Sequence, residues 1–398
     1  MKTLFKFKSK RQRYNFDTAA ATPLEPEVFK AMKPFFETDF GNPSSIHREG
    51  VIAAKAMRQA REQVAGCLSV KAEEIIFTSG GTEANNLALL GVARGYEQQF
   101  RRPGRIVAVA TEHRSVLAPL SCLASQGWEV EILPVNKLGE INLDQFKRAL
   151  KRPTTLVSVS YVNNEIGTVF PLRELAKLIR LERKRSQQAY PLFHTDACQA
   201  PRFFDLDVRK LGVDMMTLNG SKIYGPKGSG LLYCRQGISL QPQILGGGQN
   251  HSQRSGTENV PALVGLSTAL SLATKQASVS NQLVTAARDY LVARLKEQGS
   301  GLIFHGALTN RSPNNINFTV PGMEAEWLVI QLDALGFATS TGSACSTNHD
   351  HDQHVLRALY QSAAPAESSV RLSLDKEVTV AVADKFLAAL DLIMKRPS

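Results

Sequence analysis

The sequence predicts an α/β fold, with a mostly parallel central sheet in a large domain and a smaller α+β domain after it. Three features predict this. The chain has 398 residues with 43% hydrophobic content, enough for two or three structural units. Short apolar runs alternate with amphipathic stretches from about residue 50 to residue 235, the pattern of strands joined by crossover helices. A Gly-rich polar break at 246–259 (GGGQNHSQRSGTEN) then separates this region from a tail of mixed strands and helices.

Val51–Leu68 has helical spacing and good helix formers. Strands are predicted at Glu74–Thr78, Arg105–Ala110, Trp128–Leu133, Thr155–Tyr161, Leu192–Thr195, Met215–Leu218 and Gly230–Cys234. Helices lie between most of them, as at Glu83–Arg94, Ser115–Gln126 and Leu172–Arg183. Such a sheet is covered on both faces and binds ligands at the carboxyl ends of its strands. After the break, Val260–Lys275 and Asn281–Gln298 read as two long helices. Strands follow near Ile316–Val320 and Ser369–Leu374, with helices at Glu324–Leu335, Gln353–Tyr360 and Glu377–Met394. The expected division is 16–262 for the large domain and 263–398 for the small one, with 1–15 packed near the latter or disordered.

Five scattered cysteines (Cys67, Cys122, Cys198, Cys234, Cys345) have no paired spacing. That argues against a disulfide framework and for a reducing compartment, the cytoplasm. No apolar run approaches a membrane span and no signal-peptide core is present. The net charge is +11, part of it in the acid-free MKTLFKFKSKRQR, which reads as a solvated tail in preference to a transit peptide or nucleic-acid arm. Other basic residues are dispersed among acids without interleaved aromatics, so direct nucleic-acid binding is not expected.

Four segments carry chemistry. In Asn219-Gly-Ser221-Lys222-Ile-Tyr-Gly-Pro-Lys-Gly, a lysine sits in a glycine-rich turn directly after an apolar strand. It either presents an amine to a carbonyl cofactor, as a Schiff base, or decorates a surface hairpin. In His194-Thr-Asp196-Ala-Cys198-Gln199, an aspartate closes a buried strand, which is costly unless it is paired. A protonated pyridine nitrogen would pair it, with Gln199 donating to the ring's phenolic oxygen; a helix N-cap is the alternative. In Ser79-Gly80-Gly81-Thr82-Glu83, a strand enters a helix through two glycines. Its backbone N–H groups and the Thr82 hydroxyl suit a dianionic phosphate, or Thr82 and Glu83 are simple caps. Finally, Ser340-Thr-Gly-Ser-Ala-Cys345-Ser-Thr-Asn places a thiol in a small polar loop, where a nucleophile is more at home than a core cysteine.

Together these segments resemble the cysteine desulfurases, the NifS/IscS-like branch of the class V aminotransferase superfamily, which supply sulfur for iron–sulfur clusters and tRNA thiolation. The resemblance runs from Tyr14 to about Asp375. It takes in Asp17–Pro23 (DTAAATP), Gly41–His47 (GNPSSIH), Ser79–Asn86, Thr111-Glu-His113, Val162–Gly167 and Asp196–Gln199. It continues through Lys222–Gly228, Arg254-Ser-Gly-Thr257, Gly342–Cys345 and Val370-Arg371-Leu-Ser. It implies the type I fold of pyridoxal 5′-phosphate (PLP) dependent transferases, with L-cysteine converted to L-alanine and its sulfur carried as a persulfide on Cys345. Lys222 would hold the cofactor and move the Cα proton, and His113 would stack on the ring and shuttle protons. Asp196 would pair with the pyridine nitrogen, and Gln199 and Asn164 would sit near the phenolic oxygen. Gly81, Thr82, Asn219 and Ser221 would hold the phosphate, with Thr257 supplied by the second subunit of a homodimer. Arg371 would clamp the substrate carboxylate, with Asn164 and Asn42 nearby, and an iron–sulfur scaffold or sulfur carrier would accept the sulfur.

The sequence departs from the family in three places. Ser221 stands where histidine usually precedes the lysine, removing one charge-assisted phosphate contact; Asp375-Lys376 replaces Gly-Arg; and Thr18 replaces asparagine. A selenocysteine lyase, a small-amino-acid aminotransferase or a catalytically weak PLP-fold scaffold are the alternatives. The run His349-Asp-His351-Asp-Gln-His354 reads as a solvated loop, or with Cys345 as a transient metal site.

Overall fold

The structure is a computed structural model and describes residues 12–297, 301–342, 353–360 and 369–395. Cys345, His349 and His351 lie outside the described residues. The strands are β1 (Tyr14–Asn15), β2 (Ile75–Thr78), β3 (Arg105–Val109), β4 (Glu129–Leu133), β5 (Leu156–Ser158), β6 (Leu192–Asp196), β7 (Met215–Asn219), β8 (Gly230–Cys234), β9 (Ile303–Phe304), β10 (Asn315–Thr319), β11 (Phe337–Ala338) and β12 (Val370–Ser373). The helices are α1 (Pro26–Met32), α2 (Pro34–Glu37), α3 (Arg48–Leu68), α4 (Gly81–Phe100), α5 (Arg114–Ser125), α6 (Leu143–Leu150), α7 (Leu172–Ser186), α8 (Val208–Leu211), α9 (Val260–Glu297), α10 (Ala325–Ala334), α11 (His354–Tyr360) and α12 (Val380–Met394).

The central sheet has seven strands in the order β2-β8-β7-β6-β5-β3-β4. The β7-β6-β5-β3-β4 run is parallel, and β8 is antiparallel to both its neighbours. Every residue of β2, β3, β5, β6 and β8 is buried, as strands covered on both faces require. The edge strand β4 differs. Its Glu129 and Glu131 lie beside β3 and pair with Arg105, the former at 3.0 Å, so the buried guanidinium is neutralised at the sheet margin. All seven strands coincide with the predicted runs to within a few residues at each end.

A second, antiparallel sheet has the order β12-β10-β9, and β1 pairs in parallel with β11. The two expected helices at 260–275 and 281–298 are one continuous helix, α9, of 38 residues. Its first turns bury Leu263, Leu266 and Leu270 in the cluster beneath the large sheet. Its last turns bury Val284, Leu291 and Leu295 with Phe318, Phe386 and Leu390 in a second cluster. The apolar pattern lapses between them because the helix is passing from one core to the next, and the backbone does not break there.

Candidate active site

A cavity of about 320 Å³ opens where the parallel strands end at their carboxyl termini. It is lined by residues at or just beyond the ends of β2 (Gly81, Thr82), β3 (Thr111, His113), β5 (Ser160, Asn164), β6 (Asp196, Gln199) and β7 (Asn219, Lys222). Arg371 of β12 and Gly342 close it from the other side. Five connections thus converge on one volume, as open parallel sheets dictate.

At one end lies the start of α4. A Cβ added to Gly81 would fall 2.8 Å from Cys198 Sγ, so only glycine permits this approach of α4 to the turn after β6. Glu83 fixes the entry: its Oε2 accepts from Ser79 N at 2.8 Å, and its Oε1 accepts from Arg254 Nε at 2.9 Å. The first N–H groups of this 20-residue helix, together with the exposed Thr82 hydroxyl, form an anion seat.

Asp196 faces the cavity at the end of β6 and is 9% exposed. Its Oδ1 accepts from Cys198 N at 3.0 Å, and its Oδ2 accepts from Asn85 Nδ2 at 2.7 Å. Turns and no helix follow it at 197–204, so it is an oriented carboxylate and not the N-cap of a helix. Asn85, fully buried on α4, also donates to Ser115 Oγ at 2.8 Å. Sequence reading passed over Asn85, although it stands one turn after Gly81 on the same helix. Burial pushes the thiol of Cys198, which also lines the cavity, well above its ordinary range, and Asp196 adds to the effect.

Lys222 follows β7 and donates its amine to the Ala20 carbonyl. Gln199 Nε2 donates to the Ala19 carbonyl at 3.1 Å. The segment 17–22 thus crosses the cavity mouth and meets two of the expected residues through its backbone. It is anchored by Thr18 Oγ1, which donates to the Ser373 and Leu374 carbonyls at 3.1 Å each.

His113 caps α5: its Nδ1 accepts from Ser115 N at 3.0 Å. With that lone pair engaged, a neutral ring carries its proton on Nε2. Behind it, Glu112 is fully buried, and burial raises its acid to about 8. Its Oε1 accepts from Ser160 N at 2.8 Å. His354, at the start of α11, also lines the cavity, and its Nε2 donates to the Glu112 carbonyl at 2.9 Å. The Thr111-Glu-His113 motif carried no indication that Glu112 is fully buried, and nothing in the run 349–354 marked His354 as a wall of this cavity.

Three expected residues stand apart. Asn42 is exposed, its Oδ1 taking Ser44 N in a local turn at 2.9 Å. Ser221 points its hydroxyl to Asn219 Oδ1 at 3.1 Å. Thr257 lines a separate cleft with Ser79 and Arg254. Among the described residues no group of three His, Cys, Asp or Glu side chains could hold a metal ion, and Cys345, His349 and His351 fall outside them.

The fold is that of the type I PLP-dependent transferases. The class-V aminotransferase profile matches residues 14–386, and the chain belongs to this family, in its cysteine desulfurase branch. It is 40% identical to the cysteine desulfurase IscS of Dictyoglomus turgidum over 97% of this chain and 95% of that one. It is 38% identical to the cysteine desulfurase IscS of Methanosarcina thermophila, covering 96% and 91% respectively. Among solved structures, a NifS-like protein superposes with a TM-score of 0.88 at 32% identity, over 96% of this chain and 99% of that one. SspA in complex with cysteine superposes at 0.77 and 32% identity, over 92% and 100%.

The residues fit the cofactor this family uses. PLP carries a phosphate dianion, a basic ring nitrogen and an aldehyde. The cavity offers a helix N-terminus, an oriented carboxylate and a primary amine, and the side-chain-free Gly81 keeps the anion seat open.

Proposed function

We propose that the protein is a PLP-dependent cysteine desulfurase that converts L-cysteine to L-alanine and passes the sulfur through Cys345. The observation that carries this is the convergence of Lys222, Asp196, His113 and Arg371 on one cavity bounded by Gly342, the last described residue before the segment holding Cys345.

When bound, PLP supplies an electron sink that stabilises negative charge at the substrate Cα. Asp196 holds a positive charge opposite its carboxylate, and Gly81 and Thr82 hold an anion at the start of α4. Lys222 Nζ takes the Cα proton. Arg371 orients the substrate carboxylate through paired N–H groups. His113, with its proton on Nε2, gives that proton at the reacting end and takes one back at the same nitrogen afterwards. The Cys345 thiolate attacks the substrate sulfur, so that an S–S bond forms as the S–Cβ bond breaks. The Cβ carbon keeps the electron pair and gains a proton, and Lys222 Nζ returns a proton to Cα, leaving alanine. An iron–sulfur scaffold or sulfur carrier then takes the sulfur.

The reading includes a homodimer in which Thr257 reaches the partner's phosphate seat; its place in a cleft apart from its own cavity supports this. It includes the cytoplasm, supported by Cys67, Cys122, Cys198 and Cys234 all being free thiols. The test is incubation of the loaded protein with L-cysteine, following alanine, sulfide and a persulfide on Cys345 by mass spectrometry. Alanine formation that is unchanged in Cys345→Ser would overturn the sulfur-transfer reading and leave a different class-V enzyme.

A further inference from the structure

Arg371 is already engaged over most of its donor fork. Its Nη1 lies 3.1 Å from the Asn164 carbonyl oxygen and 3.4 Å from that of Gly342, while Nη2 donates to Asp17 Oδ1 at 2.7 Å. The side chain is 3% exposed, and Nε is buried without a hydrogen-bond partner among the described residues. A guanidinium has five N–H groups in a plane and holds a carboxylate best through two neighbouring ones. The edge left for a second carboxylate is Nε with Nη2, and Nη2 is the nitrogen that Asp17 already holds.

Asp17 is not a loose surface acid. It forms a parallel bridge with Ser373 on β12, the strand that carries Arg371. On the adjoining residues Thr18 bonds the Ser373 and Leu374 carbonyls, and Ala19 N donates to Ser373 Oγ at 2.9 Å. Among the described residues a second carboxyl that interacts with Arg371 is Glu165, which burial pushes above the usual range and so towards its neutral form. Asp17 is therefore the counter-ion of the guanidinium.

We propose that Asp17 is an internal stand-in for the substrate carboxylate: it holds Arg371 in register in the free protein and, by competing for Nη2, sets the affinity for amino-acid carboxylates. This rests on Arg371 being the carboxylate clamp of the proposed desulfurase. Asp17 is then a specificity-determining positioning residue that touches the reaction only through Arg371. Two carboxylates on one buried guanidinium repel each other, so the substrate binds against a resident like charge. That opposition acts on the carboxylate alone and leaves recognition of the amino group untouched.

The experiment titrates the PLP-loaded protein with L-alanine and, separately, with L-alaninamide, following the cofactor absorbance. Asp17→Asn keeps the shape and the Oδ1 acceptor but removes the charge. It is expected to bind L-alanine on the order of tenfold more tightly, to bind L-alaninamide within about twofold of the unaltered protein, and to lower KM for L-cysteine without raising kcat. Asp17→Ser, which also removes the charge, should tighten L-alanine in the same way. Unchanged or weaker L-alanine binding in both variants, or an equal change for acid and amide, would overturn the proposal. So would Arg371→Gln binding L-alanine as tightly as the unaltered protein. The desulfurase reading fails separately, if the unaltered protein binds L-alanine yet forms none from L-cysteine.

Discussion

The sulfur of Cys198 lies 2.8 Å from the point that a Cβ on Gly81 would occupy. The contact joins the start of α4 to the turn after β6, so it fixes how near the anion seat lies to Asp196. Real Cβ atoms do not approach so closely, so one of the two elements must shift. Gly81→Ala should therefore push the first N–H groups of α4 away from the cavity. The expected result is a loss of PLP affinity of about tenfold or more, read by absorbance titration of the apoprotein. The double variant Gly81→Ala/Cys198→Ala should recover part of that loss. Equal affinity in the two would show that the contact does not set the seat.

Asn85 has no exposed surface and spends both amide hydrogens, on Asp196 Oδ2 and on Ser115 Oγ. Asn85→Ala would strip Oδ2 of the Asp196 carboxylate of its donor, leaving Cys198 N on Oδ1, and would open a small void. We expect a loss of about 1–3 kcal/mol in unfolding free energy, measured by urea denaturation. Weaker PLP retention on dialysis should accompany it, but less than in Asp196→Asn, because the Asp196 charge proposed to pair with the ring nitrogen survives in Asn85→Ala.

Arg371→Lys tests the fork. A lysine keeps one positive charge but cannot serve the Asn164 and Gly342 carbonyls, Asp17 and a substrate carboxylate together. KM for L-cysteine should rise by roughly tenfold to a hundredfold, with kcat affected less. A fall in kcat at constant KM would instead place Arg371 in the chemical step.

Much of this was legible in the sequence for physical reasons. Strands buried on both faces must be apolar throughout, so β3, β6 and β8 announce themselves, and the polar residues just beyond them fall at the sheet's carboxyl edge. Gly81, Asp196 and Lys222 were readable because each breaks a local rule: a glycine at a helix start, an acid ending a buried strand, an amine in a glycine turn. What escaped was whatever depends on distant chain segments. Asp17 and Arg371 are far apart in sequence and meet only because the segment after β1 lies along β12. The continuity of α9 was hidden because its exposed middle lies between two cores, where apolar periodicity has nothing to report. Glu112 looked like part of a motif, and only burial shows that it is held as an acid.

That burial gives the protein a pH signature. Glu112 has no exposed surface, its Oε2 has no hydrogen-bond partner among the described residues, and burial lifts its acid from 4.5 to about 8. Below 4.5 it is protonated in both the folded and the unfolded chain, and its stabilising contribution is fully present. As pH rises the unfolded chain gives up the proton first, so stability is lost progressively until about 8, where the folded form ionises too. His194 acts in the opposite sense: burial lowers it from 6.5 to about 4, with Ser158 and Thr217 hydroxyls at 2.9 and 3.1 Å holding the neutral ring. Its contribution is present above 6.5 and is lost as pH falls towards 4, and His305, also lowered to about 4, reinforces it. Unfolding free energy should therefore rise from acid pH to about 6.5, where the histidines dominate, and then decline towards 8 under the buried carboxyls. Glu112→Gln keeps the acceptor for Ser160 N and has no proton to lose. It should flatten the decline above 6.5, leaving the part owed to Glu165, which burial raises in the same direction. Denaturant midpoints taken in steps from acid to alkaline pH check this. An undiminished decline in Glu112→Gln would mean that Glu112 is already ionised in the folded protein and that some other group binds the proton.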